Sequence, residues 1–250
     1  MNVALRTENL SKQWGEFHAN SDVSMTFAPG ARHALIGPNG AGKTTFINLL
    51  TGVFGPTSGR VFLGTDDITS LSQYQRVKRG MARTFQINTL FPGLSVLEAV
   101  VLAICERRGK ATIWHRTVEQ QLDEKDEAQR LLELLGLSAE ACTLNRELPY
   151  GKQRLVEIAL ALATKPSILF LDEPAAGIPA AESAELFNVI AALPRDVTIV
   201  FIEHDMELVF RFAERITVMV GGRLLAEGTP AEIAANAQVR EVYLGQAVHG

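Results

Sequence analysis

The apolar positions of this chain change period several times, and each change marks an element. Val23, Met25 and Phe27 alternate with Asp22, Ser24 and Thr26. That alternation predicts an antiparallel strand with one buried and one wet face. Residues 3–36 as a whole read as β-rich, with a turn at Pro29-Gly30. Ala34-Leu35-Ile36 is a continuous apolar run that stops at Gly37, and helical spacing follows at Phe46, Ile47, Leu49 and Leu50. A loop over 52–59, a strand at 60–63, a short helix at 73–79 and a strand at 81–85 running into Gln86 come next.

Residues 95–163 have a different character. Ser95 is placed to cap a helix carrying Val96, Leu97, Val100, Val101 and Ile104. A helix or helix pair over about 115–135 stops at Gly136, and its charged run Asp123-Glu124-Lys125-Asp126-Glu127 reads as a solvated face. From 166 onward strands and helices alternate again. The strand at 167–172 is apolar throughout, as expected deep in a parallel sheet. A helix at 180–193, a strand at 198–203, a helix at 206–212 and a strand at 216–220 follow. Gly221-Gly222 reads as a hairpin turn into 223–226, and two short helices near Ala231 and Val239 end the chain. The layout is α/β: one unit over 1–250, with a core of about 1–90 and 160–250 and an inserted helical part of about 91–159.

Composition narrows the classes. With 250 residues, 47% hydrophobic and 21% charged, the chain has the make-up of a globular protein that buries a full core. A net charge of −4 and a pI near 5.8 argue against nucleic acid as a partner. No apolar run approaches the roughly 20 residues of a membrane span. The stretch MNVALRTENLSKQW lacks a signal-peptide core. Cys105 and Cys142 form neither a metal-type pair nor a disulfide framework. A cytoplasmic protein is expected, one that works at a membrane only if another chain supplies the span.

The chemistry concentrates after the run at 34–36. Gly37, Gly40, Gly42, Lys43 and Thr44 form G-x-x-x-x-G-K-[ST] between a strand and a helix. Glycines let successive backbone N–H groups close on phosphate oxygens, and Pro38, Asn39, Ala41 and Thr45 complete the cradle. The helix that follows turns its positive end toward the same anion. Lys43 can reach the β- and γ-oxygens of a bound triphosphate, and the Thr44 hydroxyl is placed for Mg²⁺. The strand ILFLDEP delivers Asp172 and Glu173 to a sheet edge. Asp172 fits the role of Mg²⁺ ligand. Glu173 can orient or deprotonate the attacking water, an effect of about 10²- to 10⁴-fold in rate.

Five stretches in order are GPNGAGKT at 37–44, RTFQ at 83–86, LPYGKQR at 148–154, ILFLDEP at 168–174 and IEHD at 202–205. On these the chain is identified as a member of the ATP-binding cassette (ABC) ATPase family. The resemblance implies a RecA-like P-loop core with a small antiparallel β subdomain and an inserted α-helical subdomain. Two such cassettes close head to tail around two ATP molecules. Gln86 resembles the glutamine that binds Mg²⁺ or the lytic water. His204 resembles the switch histidine at the γ-phosphate, and Trp14 the aromatic that stacks on adenine. Tyr150, Gly151 and Lys152 resemble the signature loop, with a helix from about Lys152 aimed at the γ-phosphate of the opposite subunit. Pro149 stands where the family has serine, Tyr150 where it has glycine and Lys152 where it has glutamine. Pro179 departs from the usual Asp or Asn of the loop at 175–180.

The Tyr-Gly signature with RLVEIALAL, LDEPAAG, IEHDMELV and VYLG resembles one branch, the ATP-binding subunits of branched-chain amino acid importers. That implies transmembrane permease partners, a second ABC ATPase subunit and, indirectly, a solute-binding protein, with this chain peripheral on the inner face of the membrane. Pro149 and Pro179 would then weaken one of two unequal ATP sites. Ile87 to Leu94, with Leu90 and Phe91, suggest the permease-docking loop. An ATPase of a lipid or lipopolysaccharide extractor and a soluble non-transport ABC protein stay open as alternatives. A GTPase is disfavoured, since no N-K-x-D stretch occurs.

Overall fold

Two sheets organise the computed structural model, which describes residues 4–84, 91–110 and 122–244. The smaller is antiparallel and contains β1 (Leu5–Trp14), β2 (Phe17–Phe27), β4 (Ser58–Leu63) and β5 (Asp66–Asp67), in the order β2-β1-β4-β5. The larger contains β3 (Arg32–Ile36), β6 (Met81–Arg83), β7 (Ile168–Asp172), β8 (Thr198–Ile202), β9 (Arg215–Val220) and β10 (Arg223–Gly228). Its order is β10-β9-β3-β8-β7-β6, and only the β9–β10 pair is antiparallel.

Sequence pattern and burial agree in both sheets. In β2, Val23, Met25 and Phe27 are buried while Ser24 and Thr26 are exposed. Strands β3, β7 and β8 are buried at every position because helices or the second sheet cover both faces. Alternate residues of these strands feed two cores. Leu35, Phe170 and Val200 pack with Phe46 and Leu49 of α1 (Lys43–Thr51) and with the antiparallel sheet. Ala34, Leu169, Ile199 and Phe201 pack on the other side against helices.

Those helices are α3 (Val96–Arg107), α4 (Leu122–Leu134), α5 (Tyr150–Ala163), α6 (Ala180–Ala192) and α7 (Met206–Phe212). A short α2 (Gln73–Lys78) precedes β6, and α8 (Pro230–Ala235) and α9 (Ala237–Leu244) follow β10. Ser95 caps α3 as its sequence suggests, in a reciprocal capping box with Glu98. Among the described residues no helix is long and apolar enough to cross a membrane.

Two expectations need correction. The run at 123–127 is not a uniformly solvated face. Glu124 is buried and accepts from Arg108 and Lys110, each at 2.7 Å. Glu127 accepts from Arg107 at 2.9 Å and Arg108 at 2.6 Å and pairs with Lys165 at 3.0 Å. The Arg107 bond, ahead of its other partners, holds the Glu127 carboxyl down at about 2. The cause is helical periodicity: 124, 127 and 128 share one side of α4, so a charged run sends some members inward. The second correction is the start of α5, at Tyr150 rather than near 152, with Pro149 as its N-cap. The expected first part of α4, from 115, lies outside the described residues.

Candidate active site

The phosphate loop leaves β3 at Gly37 and enters α1 at Lys43. Gly42, the N-cap, has φ of 91°. A Cβ there would lie 2.4 Å from the Ala19 carbonyl, so both conformation and close approach require glycine. The loop is braced from two sides. Buried Asn20 of β2 donates its side-chain amide to the Gly42 carbonyl at 3.2 Å. Gly222, in the β9–β10 turn, donates its N–H to the Ala41 carbonyl at 3.1 Å. The same Gly222 accepts from the Ser21 N–H at 2.9 Å, which ties turn, loop and β2 together.

Lys43 is buried, and its ammonium donates to the carbonyls of Gly37 at 2.7 Å and Pro38 at 3.1 Å. Burial lowers its pKa, and the carboxylates of Glu173 and Asp172 oppose that shift. Residues 39–45 line a cleft of about 240 Å³ together with Phe17, Ala19, Glu173 and His204. The cradle of N–H groups, one ammonium and one helix N-terminus suits a polyphosphate.

The other wall comes from the carboxyl edge of the parallel sheet. Asp172 of β7 pairs in register with Ile202 of β8, so the residues just beyond them meet. Glu173 turns the chain with φ of 48°, and its N–H donates to the Ile202 carbonyl at 3.0 Å. His204 Nε2 lies 3.0 Å from Glu173 Oε1. Asp172 is buried and pairs through Oδ2 with Arg83 Nη2 at 2.6 Å, while Asp172 Oδ1 has no hydrogen-bond partner. Arg83 also donates to the Asn48 side chain of α1.

Residues 20–176 match the ABC transporter family profile. The chain belongs to the ABC transporter family. Residues 223–249 of the cassette match a second profile, that of the branched-chain amino acid ATP-binding cassette transporter. The cassette is 38% identical over 253 residues to the high-affinity branched-chain amino acid transport ATP-binding protein LivG of Escherichia coli (strain K12), covering 97% of this chain and 98% of that one. It is 35% identical over 253 residues to the corresponding protein BraF of Pseudomonas aeruginosa, with the same coverage. A solved ATP-binding cassette of an ABC transporter, in its ADP conformation, is 32% identical with a TM-score of 0.83, covering 98% of this chain and 100% of that one. The RecA-like fold with its antiparallel and helical additions is therefore that of the family.

The cassette brings Gly40, Gly42, Lys43, Thr44, Thr45, Glu173 and His204 around one cleft, with Asp172 behind them. Gln86 and residues 87–90 lie outside the described residues. Trp14 does not line the cleft; its half-exposed ring packs edge-on against Phe54 at 5.6 Å. Phe17, its partner across the β1–β2 turn, does line it. Tyr150, Gly151 and Lys152 form the first turn of α5, and none of them lines the cleft. Pro149 presets the backbone before that helix and offers no side-chain cap, and Pro179 does the same before α6. The Lys152 ammonium is engaged by Glu140, so the expected phosphate contact competes with an ion pair inside the cassette. The Tyr150 hydroxyl accepts from Arg154 at 2.6 Å. The contacts of Asn20, Gly222 and Glu203 escape sequence reading: each acts through tertiary contact, although Gly222 lies in the Gly-Gly turn and Glu203 in the IEHD stretch.

Proposed function

We propose that the cassette is the ATP-hydrolysing subunit of an importer for branched-chain or related amino acids. The observation that carries hydrolysis is the Glu173–His204 contact facing the phosphate loop across one cleft. The solute class rests on the likeness of the whole chain, with its C-terminal segment, to proteins named for branched-chain amino acid transport.

In this reading the backbone N–H groups of 37–44 and Lys43 bind the triphosphate of ATP. Trp14 and Phe17, at the two ends of one tight turn, offer aromatic faces for adenine. Thr44, Asp172 and Gln86 would hold Mg²⁺, and the partnerless Asp172 Oδ1 and the Thr44 hydroxyl fit a hard cation that takes oxygen donors. Such an ion, when bound, neutralises charge on the β- and γ-oxygens. Glu173 holds the water in line and takes its proton. His204 fixes the Glu173 carboxylate and reaches the γ-phosphate. Tyr150, Gly151 and Lys152, at the N-terminus of α5, complete the ATP site of a second cassette, and that cassette's equivalent loop completes this one. Positioning and electrostatics carry the reaction, so closure of the pair sets its rate. Helices α3 and α4 and the first turns of α5 form the helical subdomain of about 91–159, and the loop at 87–94 docks on the permease. A solute-binding protein delivers the amino acid, and the cassette sits on the cytoplasmic face of the membrane.

The test is uptake of radiolabelled leucine by cells lacking the chain. Restoration by wild type and failure of Glu173→Gln support the reading. Uptake untouched by deletion of the chain contradicts it.

A further inference from the structure

We infer that Glu203 is a positioning residue for ATP hydrolysis, clamping the strand ends that carry Glu173 and His204 so that those two side chains meet. This rests on the reading of Glu173 as the base. Glu203 is the first residue beyond β8 and is only 5% exposed. Its Oε1 accepts the Ala175 N–H at 2.9 Å, and its Oε2 accepts the His204 N–H at 3.2 Å. One carboxylate therefore holds the backbone on both sides of the site.

The choice of Ala175 follows from the sequence. Pro174 has no N–H, so Ala175 carries the first backbone donor after Glu173. With the Glu173 N–H on the Ile202 carbonyl at 3.0 Å and His204 on Glu173 at 3.0 Å, three links close a small ring between the two strand ends. That ring holds Glu173 at φ of 48°, a conformation a glutamate keeps only where its surroundings over-determine it. Glu203 also lines a second cavity of about 210 Å³ that shares Glu173 and His204 with the first and is lined in part by Ile178, Ser183 and Leu208. Burial pushes its carboxyl up, and the two backbone N–H donors oppose that shift. A carboxylate placed at this depth only to end a strand would be costly without return. Two donors from the segments that bear the catalytic pair give it a specific task.

The test uses the full chain with its transport partners for kinetics and the ¹⁵N-histidine-labelled chain for spectroscopy. Glu203→Gln keeps the shape but can accept only one of the two N–H bonds. It is expected to lower kcat by about 10- to 100-fold, the effect of a small misplacement of catalytic groups, with KM and nucleotide affinity unchanged. The His204 ring resonances, identified by their loss in His204→Ala, are expected to shift, and those of His33 to stay. Should Glu203→Gln not fold, Glu203→Asp, one methylene short, is expected to show the same split between kcat and KM. Unchanged kcat, a rise in KM instead, or a fall in kcat with unmoved His204 resonances overturns the inference. A wild-type complex that hydrolyses no ATP overturns the underlying functional reading, and this inference with it.

Discussion

His204 Nε2 stands 3.0 Å from Glu173 Oε1, across 31 positions of sequence. The contact exists because β7 and β8 are adjacent and parallel, with Asp172 level with Ile202. Each strand then releases its functional residue at the same edge. The pairing predicts that His204→Ala lowers ATP turnover by about 10²-fold or more, since Glu173 loses the group that orients it. Nucleotide affinity falls far less than turnover, because the phosphate loop is untouched and only the His204 contact to the γ-phosphate is lost. Phosphate release and equilibrium ATP binding, measured on the same preparation, check both halves.

The bracing of the phosphate loop predicts effects from residues that do not line the cleft. Gly222 has φ of 76°, and a Cβ there would lie 2.5 Å from the Ala19 carbonyl. Gly222→Ala must shift either the β9–β10 turn or β2, which disturbs the hydrogen bond that the Ala41 carbonyl accepts from the residue 222 N–H. The expected cost of about 1–3 kcal/mol appears as weaker ATP binding and a lower Tm. Asn20→Ala removes one buried hydrogen bond to Gly42 and is expected to cost about 1 kcal/mol. Titration calorimetry with ATP and thermal melts distinguish these variants from wild type.

His33 supplies a pH dependence. It lies in β3, buried against Phe27, with Nε2 2.7 Å from the Thr217 hydroxyl. Burial, and after it the charge of Arg215, depresses its pKa from 6.5 to about 4. A base with a depressed pKa is neutral in the folded state while the unfolded chain still takes up a proton. Stability is therefore full above about pH 6.5 and declines as pH falls toward about 4, by roughly 3 kcal/mol in total. Denaturant unfolding between pH 4 and 7 is expected to show this slope in wild type and a flatter one in His33→Gln.

Glu127 behaves in the opposite chemical sense within a lower window. Its carboxyl titrates near 2 in the folded state, against a usual 4.5, so its contribution is present above about 4.5 and is lost as pH falls toward 2. Glu127→Gln leaves Arg107, Arg108 and Lys165 without their shared carboxylate and is expected to destabilise the α3–α4 packing by about 1–3 kcal/mol. Hydrogen exchange in α3 and α4 at neutral pH reads that loss directly.

How much of this was legible in the chain depends on whether the signal was local. The alternation at 23–27, the apolar run ending at Asp172 and the glycine spacing at 37–42 each carry their structure in a few adjacent residues, and the fold follows them. Glu124 and Glu127 were misread because a charged run looks the same whether or not a basic helix end packs against it. The start of α5 was misplaced because Pro149 permits a helix immediately after it, while the motif alone suggested a longer loop. Gly222 and Glu203 sit in stretches the sequence marks, a Gly-Gly turn and IEHD, but their contacts to the phosphate loop and to Ala175, like that of Asn20 to Gly42, are visible only in the tertiary pairing. The late VYLG stretch contributes one such contact: Tyr243 of α9 packs close to the Gly37 backbone, and burial pushes its phenol up to about 12. The segment matched by the branched-chain profile thus reaches the first glycine of the phosphate loop.

The most direct test of ATP hydrolysis at this site is phosphate release from γ-labelled ATP by Glu173→Gln, assembled with its transport partners. The expected result is ATP retained unhydrolysed on the complex, with release slowed by about 10²- to 10⁴-fold relative to wild type. Release at the wild-type rate would contradict the assignment of Glu173 as the group that activates water, and with it the mechanism built on the Glu173–His204 pair.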